Sequence, residues 1–235
     1  MKILGFDTAA PANTIGLVDD DRLLADCAWE ARDNSLQRIV LNIDLVLKRA
    51  GVALRDIDGL AVGIGPGSWT GGKVGVTVAK TLAYAVDKPI CGVPSFEALA
   101  YQSRSLSVQL CPLVAAGRDT VYAAFYRPRA RALVKQGDYY VGSIEGLTAA
   151  VKEPTLFLGK PAHIHRQALA EALGPLASFG SPSDSPAGSA FAWTAWPRLR
   201  RGDSDDALSL SPLYLTEYLA HALLAKRRQD REPRG

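Results

Sequence analysis

Gly63-Ile64-Gly65-Pro66-Gly67-Ser68-Trp69-Thr70-Gly71-Gly72-Lys73-Val74-Gly75 places six glycines and one proline in thirteen residues. Glycine weakens both strands and helices through its extra backbone freedom, so such a density predicts a specialised turn between two regular elements. Ile57 to Gly63 reads as the entering strand and Val74 to Val86 as the departing helix. Ser68 or Thr70 is suited to cap that helix, and its free N–H groups would then favour an anion or a carboxylate. The pattern is neither a Walker A loop nor a Rossmann fingerprint, because the required Gly-Lys-Ser/Thr run and the Gly-x-Gly-x-x-Gly spacing are absent. The glycines serve equally well to let strand, turn and helix pack closely.

Outward from the loop, periodicity predicts strands ending at Asp7, over Thr14 to Val18 and over Leu23 to Glu30, joined by short turns as an antiparallel meander. A helix follows from Ser35 to Ala50, then the glycine-loop unit, a strand at Pro89 to Val93 and a helix capped by Ser95. The order is βββαβαβα. It restarts at Leu110 to Ala116, Val121 to Tyr126 and Gly137 to Val141, continues with a helix from Ser143 and a strand at Thr155 to Gly159, and closes on a helix over His163 to Leu173. Gly180 to Gly188 and Arg198 to Asp206 read as loops. The expected organisation is an N-terminal lobe over 1–104, a shorter C-terminal lobe over 105–217 and a basic helix and tail over 218–235.

The chain has 235 residues, 48% hydrophobic and 22% charged, enough for one generous core or two lobes and too apolar for a disordered chain. A net charge of +3 is too small to mark a dedicated nucleic-acid binder without a concentrated patch, and Lys226-Arg227-Arg228 supplies the only run. Cys27, Cys91 and Cys111 are odd in number and widely spaced, which predicts reduced thiols. With no apolar leader and no run of membrane-spanning length, a cytoplasmic protein without membrane contact is expected.

In the Ser35 helix, Leu36, Ile39, Val40, Ile43 and Leu47 form the stripe expected on a sheet, while Leu41 and Leu45 fall on the opposite side. In the Val74 helix, Gly75, Ala79 and Ala83 recur every four residues as a flat strip that another helix could approach. These five residues are the sequence's candidates for a partner interface, with burial inside the monomer as the alternative for the small-residue strip.

Three strands followed by alternating helix and strand, twice over, resemble the two-lobed actin-like ATPase fold of ribonuclease H-like type shared by actin, sugar kinases and Hsp70. That family places an aspartate after strand one, here Asp7-Thr8, as a ligand to the nucleotide's metal; capping its own turn is the competing role. Gly63, Gly65, Pro66, Gly67, Ser68, Thr70, Gly71 and Gly75 match, in register, the Gly-x-Gly-Pro-Gly-Ser-Phe-Thr-Gly-x-Arg-x-Gly signature of the TsaB family, and Ile3 to Thr8 and Pro212 to Leu215 resemble it further. Trp69 and Lys73 replace phenylalanine and arginine, Ala115-Ala116-Gly117-Arg118 lacks the usual aspartate, and Thr216 replaces an arginine.

The resemblance implies a non-catalytic scaffold and activator of a TsaD-like subunit, acting in threonylcarbamoyl transfer to the adenosine beside the tRNA anticodon. A TsaE-like P-loop ATPase would join the assembly, tRNA would be met through the complex, and a homodimer is the arrangement open to the chain alone. No cofactor of its own is implied; ATP or ADP would be shared at the partner interface through Asp7, Gly65, Gly67, Ser68, Thr70, Gly71 and Lys73. No catalytic residue or metal ligand is expected: the first helix lacks the His-x-x-x-His of TsaD, all three histidines lie beyond residue 160, and no histidine base for Ser68 can be nominated. An independent small-molecule kinase or ATPase of the same fold, using Asp7 and the loop, is the alternative.

Overall fold

The computed structural model describes residues 1–31, 36–117, 119–129, 132–183 and 185–215. Arg118, Thr216, His221 and the basic run in the tail therefore lie outside the described residues, as do 32–35.

Two five-stranded sheets repeat one topology. The first contains β1 (Lys2–Asp7), β2 (Ala12–Asp19), β3 (Arg22–Glu30), β4 (Gly59–Gly63) and β5 (Ile90–Val93) in the order β3-β2-β1-β4-β5. The second contains β6 (Gln109–Ala115), β7 (Val121–Arg129), β8 (Ala132–Gly142), β9 (Thr155–Leu158) and β10 (Ala177–Phe179), in the equivalent order β8-β7-β6-β9-β10. In each, the first three strands are antiparallel and the last two join in parallel, as the crossover helices require. The helices are α1 (Ile39–Arg49), α2 (Trp69–Val86), α3 (Ser95–Tyr101), α4 (Ile144–Ala150), α5 (Lys160–Ile164), α6 (Arg166–Leu173) and α7 (Gly188–Arg200).

Alternation along the strands decides the layers. Leu4, Phe6, Ile15 and Leu17 face one way, onto Ile39, Ile43, Val46 and Leu47 of α1 and Val76, Ala79 and Ala83 of α2. Ile3 and Val18 face the other way, onto Phe191, Ala192, Ala195 and Leu199 of α7. In the second lobe, Cys111, Leu113 and Phe157 meet α4, α5 and α6, while Leu110, Ala124 and Tyr126 meet Phe96, Leu99 and Ala100 of α3.

The structure departs from the expected elements here. Helix α7 fills the stretch between the two expected loops, for which no element was expected, and takes in Gly188 and Arg198 to Arg200 at their edges; it lies within the range given to the C-terminal lobe yet packs on the first sheet. Its approach needs bare backbone: a Cβ on Gly5 would sit 2.6 Å from Ala192 N, and one on Gly16 would collide with Ser189. Asp26 of β3 holds its start, accepting from the backbone N–H groups of Gly188 and Ser189 at 3.2 and 3.1 Å. Pro197 inside the helix and the Ser/Pro/Gly-rich run before it hid the element from a local reading. Helix α2 also begins at Trp69, five residues before the expected start, because Ser68 Oγ accepts the Gly71 N–H at 3.1 Å and so caps it.

Candidate functional site

The glycine loop is fitted against the turn between β1 and β2. Ser68 N–H donates to the Ala9 carbonyl at 2.7 Å, and Thr8 Oγ1 donates to the Gly71 carbonyl at 2.6 Å. A side chain on Gly63 would run into the Asp7 carboxylate, one on Gly67 into Ala9, and one on Gly71 into the Thr8 carbonyl. The absence of side chains at these positions thus lets one loop of the protein close on another.

Asp7 is fully buried and turned into its own turn, its two oxygens accepting from Ala9 N at 2.9 Å and Ala10 N at 3.2 Å. Burial pushes its carboxyl up to about 6, against the pull of those N–H groups. Gly65 is buried behind the loop, with φ +89 and its carbonyl taken by Ser95 N at 2.8 Å.

Of the loop residues nominated from sequence, only Gly67 and Ser68 line the cleft between the lobes, a space of about 480 Å³. Its walls are largely Ala, Pro, Leu and Val, and among the described residues that line it Glu30 is the one that carries a charge. Ser95 Oγ, 4% exposed, faces this space without a hydrogen-bond partner among the described residues. Thr70 is exposed in the first turn of α2, and Lys73 lies on its outer side, with Nζ 4.2 Å above the Trp69 ring. The seven nominated residues therefore do not converge on one cavity.

The five interface candidates also divide. Leu41 is 68% and Leu45 47% exposed, joined by Val40 at 48% and by Tyr84 of α2 at 90%. Val40 leaves the expected core stripe, and Val46 takes its place. Gly75, Ala79 and Ala83 are buried and face the protein's own sheet: a Cβ on Gly75 would collide with Thr8 Oγ1, and Ala79 lies in the core with Phe6 and Val62. They are not a contact surface for another chain, because the strip brings α2 close to β1 and β4. The outward face of α2 carries Trp69, Lys73, Thr77, Thr81 and Tyr84.

His163 uses Nε2 on the Gly180 carbonyl at 2.8 Å. No helix among the described residues is long and apolar enough to cross a membrane.

With this geometry in view, three comparisons bear on the chain. The family model described as "TsaD: tRNA N6-adenosine threonylcarbamoyltransferase" matches residues 29–187. The tRNA threonylcarbamoyladenosine biosynthesis protein TsaB of Bacillus subtilis is 32% identical over 77% of this chain and 80% of its own length. The TsaB of Escherichia coli is 36% identical over 43% of each. The crystal structure described as YeaZ from Pseudomonas aeruginosa superposes with a TM-score of 0.78 at 23% identity, covering 91% of this chain and 99% of the other, a likeness of fold. The duplicated sheets and this likeness make the architecture the two-lobed actin-like one, and the sequence match carries the rest: the chain belongs to the TsaB family of tRNA threonylcarbamoyladenosine biosynthesis proteins.

Proposed function

We propose that the protein is a non-catalytic scaffold and activator of a TsaD-type subunit in the transfer of threonylcarbamoyl to the adenosine beside the tRNA anticodon. The observation that carries this reading is the outward face of α1 and α2. Val40, Leu41, Leu45 and Tyr84 are exposed on two helices packed on the same face of the same sheet, where a water-facing surface would be polar. The partner's own helices would cover these side chains and be held by them.

The cleft supports the same division of labour. A polyphosphate needs cations or free N–H groups, whereas the cleft offers Glu30 and a turn whose N–H groups already serve Asp7. Nucleotide, if part of the cycle, is then held jointly with the partner, with Ser68 and Lys73 as this chain's contributions, and a TsaE-like P-loop ATPase and the tRNA are engaged by the complex. An independent kinase would have to bind ATP in this cleft without a basic side chain among the described residues that line it.

The test is co-purification with the TsaD-type protein of the same organism, followed by tRNA modification with and without this chain. A stable pair whose modification is lost when the chain is omitted is the expected result. Full activity without it, together with ATP hydrolysis by the isolated chain, would replace the reading with the kinase.

A further inference from the structure

Beyond α7 the chain turns back across the first lobe, and its path follows α2. Asp205 N–H donates to the Ile90 carbonyl at 2.9 Å and Gly92 N–H to the Asp205 carboxylate at 2.8 Å, fixing the segment on β5. Lys80 of α2 then donates to the carbonyls of Leu208 and Leu210 at 2.9 and 3.1 Å. Leu213 N–H donates to the Ile64 carbonyl at 2.7 Å, and the Tyr214 ring lies 4.1 Å from that of Trp69, at the first turn of α2. The segment therefore runs antiparallel to the helix along its flank, and Leu215 is buried at 2% exposure in the core where α3 meets the second sheet.

One apolar side chain on this path is left in the open among the described residues. Leu208 is 89% exposed, yet its backbone is held firmly. Asp206 accepts from Leu208 N at 3.1 Å, Ser209 N at 3.0 Å and Ser209 Oγ at 2.7 Å, and Leu210 N–H closes the turn on the Asp206 carbonyl at 2.9 Å. An apolar side chain presented on a preordered turn loses little conformational entropy when it is covered.

We propose that segment 205–215 is the third wall of the partner face, with Leu208 and Tyr214 touching the TsaD-type partner alongside α1 and α2. This rests on the interface reading above and adds an element to it. It also gives the second lobe a task, since the anchor at Leu215 sets where the segment lies.

The occupant follows from charge. Arg38, Arg49 and Lys73 are exposed without an ion pair among the described residues, Lys48 is joined to Asp44 at 2.7 Å, and the Asp206 carboxylate is taken up by its own turn. A second copy of the chain would bring the same excess of cations, whereas a partner with carboxylates around an apolar helical centre complements it.

The experiment measures the affinity of the full chain and its variants for the TsaD-type protein by titration calorimetry, with Leu41→Asp as the control for the interface itself. Leu208→Asp is expected to weaken binding at least tenfold and the milder Leu208→Ser several-fold, both with unchanged thermal unfolding because Leu208 is exposed. Loss of binding in Leu41→Asp with full binding in both Leu208 variants would overturn this proposal and leave the interface reading standing. Full binding in all three variants would overturn both. Self-association abolished by Leu208→Asp while partner affinity is retained would assign the segment to a second copy and overturn the proposal as well.

Discussion

The two faces of α2 carry opposite chemistry to what a sheet-packed helix ordinarily shows. Its inward face is mostly small, Gly71, Gly75, Ala79 and Ala83 with Val76 the one larger side chain among them, while its outward face holds Trp69, Lys73 and Tyr84. Small residues inward let the helix axis come close to β1 and β4, where Thr8 and Val62 fill the space that larger side chains would take. Large residues outward leave aromatic surface in water. The difference teaches that size, and not polarity alone, sorts the faces of a helix at a tight contact, and that apolar surface outside is available to another chain.

That contrast can be broken first at its inner side. Ala79→Glu places a carboxylate in a fully buried position without room or partner, and a loss of more than about 4 kcal/mol is expected in chemical denaturation, so the variant should be recovered unfolded. A stable, folded Ala79→Glu protein would mean that this face is open to solvent after all. On the outer side, Leu41→Asp should leave the unfolding midpoint unchanged and weaken the complex with the TsaD-type protein by tenfold or more, about 1.4 kcal/mol in binding. The pair of results, one variant lost to folding and the other lost only to binding, is the sharpest form of the comparison.

The turn beneath α2 gives a pH test. Burial raises the Asp7 carboxyl from 3.8 to about 6, so the charged form is penalised in the folded state. That penalty is complete above about pH 6, and it is relieved as pH falls through the window towards 3.8. By proton linkage, stability from this group should rise by about 1 kcal/mol between pH 7 and pH 5. Denaturation of the natural protein and of Asp7→Asn at the two pH values checks it: the rise should be absent from the variant. Equal slopes would place Asp7 in contact with water or with an unrecognised cation.

The smallest effect belongs to the cap. Ser68→Ala removes the acceptor of the Gly71 N–H and should cost about 1 kcal/mol, with the partner affinity reduced only through fraying of the first turn of α2. A loss of partner binding far beyond that of stability would move Ser68 from the cap into the interface.

Much of this was legible beforehand. The meander of β1 to β3, the helix α1, the strand into the glycine loop and the repeat in the second half follow from short apolar runs, helical spacing and turn residues. Those are local signals that tertiary contacts reinforce here. The cap of α2 was narrowed to Ser68 or Thr70, and only the geometry of the Gly71 N–H selects Ser68. Leu41 and Leu45 stood out because two leucines on the polar side of an amphipathic stripe are anomalous whatever surrounds them. Gly75, Ala79 and Ala83 misled, since spacing of four places them on one face without naming the neighbour. The same limit hid α7, whose helix is favoured by the bare backbone at Gly5 and Gly16 and by the Asp26 carboxylate at its start, more than 160 residues earlier in the chain.

By itself the sequence determined the order of the elements as far as the helix ending at Leu173, the duplication and the family, because alternation, capping and the glycine register are properties of neighbouring residues. The tertiary structure alone decided that the glycines serve the turn at Asp7, that α7 crosses to the first sheet and that the Ala79 strip faces inward. These outcomes depend on which distant backbone comes within contact distance. Close packing makes that choice through volumes and hydrogen bonds that exist only once both sides are in place.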